Sequence, residues 1–304
     1  MKTQSVYVKG TNEAKIHVQT FTPMGKSHGV LHILHGMGEH ANRYKPFAEY
    51  LTSSGFVVVV HSHRGHGQSL KEGQKVGILD KTDYLFAMVE DVGLIEDYIR
   101  TKFPDLPIYM LGHSMGSMIL RAYLAKHESR IKKAIFTGTL PVFPSVYVKF
   151  MRFLAWFLGL FRSNKKRHKL LAKLLNTGMN KHIKHPETTF DWLSHDHDVV
   201  MRYIDDPLSG FEYNKRFYRS FFALISFLNR FKFRHIKIPI LMISGEEDPL
   251  NYKNKALDSV SKMYKKKQET IDLTIEHVPR ARHEVLNEID KEKTYEYLKK
   301  WLNA

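Results

Sequence analysis

The run Gly112-His113-Ser114-Met115-Gly116 places a serine hydroxyl between two glycines, just after the apolar stretch Ile108 to Leu111 and before a helical pattern that continues through Lys126. A serine on a strand-to-helix turn projects its hydroxyl above the sheet, and small residues two positions to either side relieve the crowding of the backbone there. The helix that follows supplies N–H donors and a positive dipole end close to that hydroxyl. Such a serine is suited to attack a carbonyl carbon. It is a weak nucleophile until a base takes its proton, and the base needs a carboxylate to orient it.

Both partners are expected downstream, in the chain order serine, acid, histidine, each on a loop after a later strand. The apolar run Ile238 to Ile243 ends in Ser244-Gly245-Glu246-Glu247-Asp248-Pro249, which offers three carboxylates; Asp248 is the leading acid, with Glu246 and Glu247 in reserve. The alternating run Ile271 to His277 leads to Pro279-Arg280-Ala281-Arg282-His283-Glu284, so His283 is the expected base and His277, at the end of the run, its rival. The chain has 18 histidines, and most must serve other purposes. A tetrahedral intermediate also needs two fixed backbone N–H donors. Met115 is the expected first donor, and Met37, within His35-Gly36-Met37-Gly38 after the run Val30 to Leu34, the second.

These loops need a scaffold, and the first 140 residues alternate short β-branched runs with longer helical patterns, the signature of a mainly parallel sheet with crossover helices. Ser5 to Lys9 and Lys15 to Phe21 predict an opening hairpin. Val30 to Leu34, Phe56 to Val60, Ile108 to Leu111 and Lys133 to Thr137 predict buried strands. Tyr44 to Ser53 and Thr82 to Thr101 carry apolar residues at helical spacing, and Lys253 to Lys265 and Lys291 to Trp301 predict two closing helices. Between Pro141 and about 235 the pattern is helical, basic and aromatic. No convincing strand interrupts it before Ile238. It is expected to interrupt the domain formed by 1–140 and 236–304 rather than to start another, and to act as a cap over the strand ends.

The segments His35-Gly36-Met37-Gly38-Glu39-His40 with Arg43-Tyr44, His63-Arg64-Gly65-His66-Gly67-Gln68-Ser69, Gly112 to Gly116, Gly245 to Asp248 and Ala281 to Glu288 resemble the monoacylglycerol lipase and lysophospholipase branch of the α/β hydrolases. The resemblance spans nearly the whole core. It implies an α/β-hydrolase fold, a mainly parallel eight-stranded sheet with helices on both faces and an inserted helical cap. It implies a Ser114, Asp248, His283 triad with oxyanion donors at Met37 and Met115. One departure stands out: the branch usually carries Asp before His-Arg-Gly-His-Gly, and here Ser62 occupies that position.

The expected reaction is hydrolysis of a lipid-like monoester, such as a monoacylglycerol or lysophospholipid, through an acyl-enzyme on Ser114. It calls for no cofactor and no metal. Acyl transfer or aminopeptidase chemistry on the same scaffold is the alternative, and a non-catalytic lipid-binding module the reading from another class. Trp156, Phe157, Trp192, Phe217 and Phe221 are the residues of the insertion expected to line the acyl pocket. His195-Asp196-His197-Asp198 has the composition of a metal cluster but is expected to form a polar surface turn.

The formal charge of +16 is unevenly spread: Pro141 to Ile240 holds 18 Lys and Arg against 7 Asp and Glu, a net +11. With the greasy stretch Val146 to Phe161 beside the basic run Arg162 to Lys169, this predicts peripheral contact with an anionic membrane. That stretch has 16 residues and contains Lys149 and Arg152, too short and too charged for a bilayer span. No nucleic-acid recognition motif is present. Without cysteines there are no disulfides, and no secretory signal opens the sequence, so a cytoplasmic location, peripheral at the inner membrane face, is expected. Oligomeric state, chain length and headgroup preference are not written in the sequence.

Overall fold

The computed structural model describes residues 1–80, 84–127, 130–230, 236–268 and 270–304. Its eight strands are β1 (Lys2–Lys9), β2 (Lys15–Thr22), β3 (Gly29–Leu34), β4 (Phe56–His61), β5 (Ile108–His113), β6 (Lys133–Thr137), β7 (Ile240–Gly245) and β8 (Leu273–Val278). They form one sheet in the order β1-β2-β4-β3-β5-β6-β7-β8. The pairs β1/β2 and β2/β4 are antiparallel, and all others are parallel. The opening hairpin and the buried parallel core follow the apolar runs closely.

Period-2 geometry explains how continuous apolar strands serve two faces at once. In β4, Val57 and Val59 join the core on one side of the sheet, whereas Val58 and Val60 join the core on the other. The first side is covered by α2 (Tyr84–Lys102), α3 (Met115–His127) and α8 (Lys255–Lys267), with Val92, Ile119 and Leu257 packed inward. The second is covered by α1 (Lys45–Ser53) and α9 (Lys291–Asn303), through Phe47, Leu51, Tyr295 and Leu298.

Between β6 and β7 lie α4 (Ser145–Leu160), α5 (Lys169–Asn176), α6 (His197–Asp205) and α7 (Lys215–Arg230). Val148, Met151 and Ala155 of α4 and Phe217, Phe221 and Leu224 of α7 share the core of α2 and α3. The segment between β6 and β7 therefore shares the core of the sheet's helices.

Several boundaries differ from the sequence expectation. β7 begins at Ile240 rather than Ile238, because Pro239 has no N–H to offer a ladder. The helix expected from Tyr44 starts at Lys45, Tyr44 closing a short 3-10 turn (Ala41–Tyr44). The helix expected from Lys253 begins at Lys255, after Lys253 and Asn254 both take positive φ. Thr82 and residues 231–235 lie outside the described residues.

Candidate active site

Because β5 ends at His113 and α3 starts at Met115, Ser114 is the single residue of the connecting turn. Its φ of 50° is left-handed, an uncommon conformation for a residue with a Cβ. The turn is tied down: Ser114 N donates to Thr137 O at 2.9 Å, and Ser117 N to Ser114 O at 3.0 Å. A Cβ on Gly116 would stand 2.2 Å from Leu34 O, and one on Gly112 2.5 Å from Gly116 O. The flanking glycines are thus required by the close approach of α3 to β3 and β5.

The loop after β7 buries Asp248 while Glu246 and Glu247 face solvent. The Asp248 carboxylate accepts from His283 Nδ1 at 2.9 Å, from Ser244 Oγ at 2.9 Å and from Leu250 N at 2.9 Å. Burial pushes this carboxyl up, but His283 and the hydrogen bonds outweigh it and hold Asp248 below the usual carboxylate range. Burial likewise disfavours a charged His283, yet the Asp248 charge and hydrogen bond raise its pKa above the ordinary histidine value. His277 sits within β8, in register with Ser244, away from this pair.

The segment between β6 and β7 reaches the histidine loop directly. His283 N donates to Trp192 O at 3.3 Å and Glu284 N to Leu193 O at 2.8 Å, with the Trp192 and His283 rings 5.0 Å apart. A Cβ on Gly138 would lie 2.8 Å from His283 Cε1, so the β6 end also fits closely around the imidazole.

Met37 sits in the turn after β3, and Met115 is the first residue of α3. The turn is fixed from below by Glu39, whose carboxylate accepts from Gly36 N and from Tyr44 Oη. Arg43 bonds Glu39 at 2.7 Å and grips Glu284 with two contacts of 2.6 and 2.7 Å. Its guanidinium also lies 4.7 Å from the centroid of the Tyr203 ring. Burial favours protonation of Glu39, but Arg43 and the donors around it hold this carboxyl below its ordinary value.

Gly36, Met37, His113, Ser114 and His283 line one cavity, together with Asn176, Phe190, Trp192, Leu193, Tyr203, Gly210 and Phe211 from the segment between β6 and β7. Of the five residues expected to line an acyl pocket, this cavity contains only Trp192. Trp156 and Phe157 are 45% and 42% exposed on the outer face of α4. Phe217 and Phe221 point the other way, into the core, in a stack with Tyr213. The cause is the amphipathicity of α4 and α7: aromatic content alone did not say which face turns toward Ser114. Phe190 and Tyr203, which also line the cavity, lie in no motif of the sequence.

Ser62, at the position where the resembled branch usually carries Asp, is buried and its hydroxyl accepts from Ala41 N at 3.3 Å. A Cβ on Gly67 would approach Ser62 Oγ to 2.8 Å, so position 67 has no room for a side chain beside Ser62. The adjacent Arg64 is anchored on buried Asp91. In the run His195 to Asp198, Asp196 caps α6 through Val199 N at 3.2 Å and His195 lies between Glu288 and Glu247 at 3.2 Å from each.

A mostly parallel sheet that delivers a left-handed serine, a buried acid–histidine pair and a glycine-flanked turn to the carboxyl ends of its strands defines an α/β hydrolase. Residues 25–290 match the family described as serine aminopeptidase S33, and the chain belongs to that family. The monoglyceride lipase homolog of Monkeypox virus is 28% identical over 239 residues, covering 78% of this chain and 76% of the viral one. The mouse monoglyceride lipase is 39% identical over 97 residues, which are 32% of this chain and 30% of the mouse protein. A thermostable carboxyl esterase from Bacillus coagulans, solved with glycerol, superposes with a TM-score of 0.89 at 27% identity, covering 100% of this chain and 98% of the esterase. The chain is a hydrolase of this lipase and esterase group.

Proposed function

We propose that this hydrolase cleaves lipid-like monoesters, a monoacylglycerol or a lysophospholipid, through an acyl-enzyme on Ser114. The observation that carries the reading is the shared cavity of Ser114 and His283, with His283 bound to buried Asp248. Asp248 holds the Nδ1–H tautomer, leaving Nε2 as the base. His283 Nε2 takes the Ser114 proton as Oγ bonds to the ester carbon, and the negative oxygen is received by the N–H groups of Met37 and Met115. The C–O bond to the alcohol then breaks as His283 returns the proton to it. Water, deprotonated by His283, releases the fatty acid and restores Ser114.

In this reading residues 141–235 are a cap on the core formed by 1–140 and 236–304, and its Phe190, Trp192, Leu193 and Phe211 provide an apolar wall for the acyl chain. The family description raises amide cleavage, and the scaffold also supports acyl transfer. Product analysis with matched ester and amide substrates, with and without a competing alcohol, separates the three. Free fatty acid from the ester alone supports the proposal; amide turnover at a comparable rate, or acyl alcohol as the main product, contradicts it.

Peripheral binding to an anionic membrane completes the proposal. Val146, Phe150, Phe153 and Phe157 are exposed at helical spacing along α4, with exposed Phe161 just beyond its end, while Val148, Met151, Ala155 and Gly159 on its other side are buried. Lys149, Arg152 and Arg219 flank Phe153 and Trp156 in a surface groove, and Arg162, Lys165, Lys166 and Lys169 follow beyond the helix. Apolar residues ringed by cations fit the interface of an anionic bilayer. Among the described residues no helix is long and apolar enough to cross a membrane. Cosedimentation should show salt-sensitive binding to phosphatidylcholine vesicles containing phosphatidylglycerol, lost on Phe150→Ser with Phe157→Ser; equal binding of the double variant contradicts this contact.

A further inference from the structure

The Tyr213 hydroxyl joins the inserted segment to the turn that carries Met37. It accepts the Gly38 N–H at 2.8 Å and lies 2.6 Å from His66 Nε2. The other nitrogen of that ring, Nδ1, is 3.0 Å from the Arg64 carbonyl oxygen. A carbonyl only accepts, so Nδ1 carries the hydrogen and Nε2 is left as an acceptor for the Tyr213 O–H. The chain then has one direction: Gly38 N–H to Tyr213, Tyr213 O–H to His66, His66 Nδ1–H to Arg64. Burial lowers the His66 pKa to about 4, so the ring keeps this neutral form at neutral pH.

The same segment holds the other side of Gly38. Gly210 N donates to Gly38 O at 2.9 Å. Tyr213 itself has little freedom. It is 2% exposed, its ring stacks on Phe217 at 3.6 Å, and its carbonyl accepts from His168 N at 2.7 Å. Next to it, Asn214 N donates to Gly77 O at 2.8 Å and Asn214 Nδ2 to Leu79 O at 2.8 Å.

The position of these bonds in the chain matters. The Met37 N–H belongs to the peptide between residues 36 and 37. The peptide before it is fixed by the Gly36 N–H bond to Glu39, and the peptide after it by the Gly38 N–H bond to Tyr213. With glycine on both sides of Met37 and φ +67° at Gly38, the turn has little side-chain bulk of its own to resist rotation. Glu39 arises in the core, whereas Tyr213 arises in the insertion.

We propose that Tyr213 is a positioning residue: acting through Gly38, it holds the Met37 N–H in place for the oxyanion, so that the oxyanion hole is complete only while the inserted segment is seated. This rests on the reading that Ser114 attacks an ester with Met37 as a donor. Tyr213 touches no substrate in this account; it acts on the turn.

The test uses the full chain and Tyr213→Phe, which keeps the ring stack and removes only the hydroxyl. Turnover of a water-soluble short-chain nitrophenyl ester is measured with inhibition by an alkyl trifluoromethyl ketone, whose serine adduct carries the oxyanion. A fixed hydrogen-bond donor to that oxygen is worth about a hundredfold or more, and loosening one should cost kcat about tenfold with KM within about twofold. Affinity for the ketone should fall by the same factor as kcat/KM. Tyr123→Phe removes a buried hydroxyl that bonds Glu96 far from the turn, and should lower the melting temperature without moving either quantity. Wild-type kcat and ketone affinity in folded Tyr213→Phe overturn the proposal. If that variant does not fold, His66→Leu, which removes the acceptor that orients the hydroxyl, must lower both quantities, and unchanged values overturn the proposal equally. A wild-type chain that hydrolyses no ester and forms no ketone adduct refutes the underlying reading instead.

Discussion

Arg43 grips Glu284, the residue next to His283, through two contacts of 2.6 and 2.7 Å while also bonding Glu39 beneath the Met37 turn. One guanidinium thereby ties the turn proposed to receive the oxyanion to the loop that carries the proposed base, His283. Glu39 and Glu284 are both buried, so the bridge also neutralises two carboxylates that water cannot reach.

Replacing Arg43 by Met keeps much of the volume but leaves those carboxylates unpaired. Arg43→Met should destabilise the chain by about 3–5 kcal/mol, read by urea unfolding. Arg43→Lys should recover only part of this, because an ammonium lacks the planar fork that meets Glu284 at two oxygens. An unfolding midpoint within error of wild type for Arg43→Met would show that the bridge contributes little.

The pair Asp248–His283 makes a pH-dependent prediction. In its proposed role as base His283 must be neutral, and its pKa is raised, so kcat/KM should fall on the acid side with an apparent pKa above about 6.5. Asp248→Asn should lower kcat by about 10⁴ and move the acid limb toward lower pH, since the charge that raises the His283 value is gone. By linkage, the raised value contributes stability that is fully present below about pH 6.5 and is lost as pH rises through the folded value. The gap in melting temperature between wild type and Asp248→Asn should therefore narrow from pH of about 6 to about 9. A pH–rate profile that Asp248→Asn leaves in place would point to Glu246 or Glu247, although both are exposed.

The left-handed backbone at Ser114 predicts an exchange of stability for reactivity. Ser114→Gly should stabilise the fold by about 1 kcal/mol, because glycine adopts this φ without a Cβ clash. Ser114→Ala should gain much less, as it keeps the Cβ. Thermal melting of the two variants side by side decides this, and equal melting temperatures would mean that the turn stores no strain.

Much of this site was legible from the chain itself. Ser114, Asp248 and His283 stand out as candidates because each follows an apolar run that forms a parallel strand, and such strands deliver their carboxyl ends to one edge. Met37 is marked as a candidate by its flanking glycines. The expected cap-side wall was largely wrong for a physical reason. In α4 and α7 the aromatic residues are spread around helices that bury one face, so composition counts them without orienting them, and Trp156 and Phe157 face outward while Phe217 and Phe221 face the core. Tyr213 and Tyr203 carry no sequence signal at all, because their roles come from contacts across 147 or more positions of chain, as between His66 and Tyr213.

Covalent labelling by a fluorophosphonate probe decides whether Ser114 is the nucleophile. The wild-type chain should be labelled at Ser114, as read by peptide mass spectrometry. Ser114→Ala should not be labelled, and His283→Ala should react far more slowly while remaining folded. Labelling that survives Ser114→Ala, or a probe found on another residue of the wild-type chain, would contradict the assignment of Ser114 as the nucleophile.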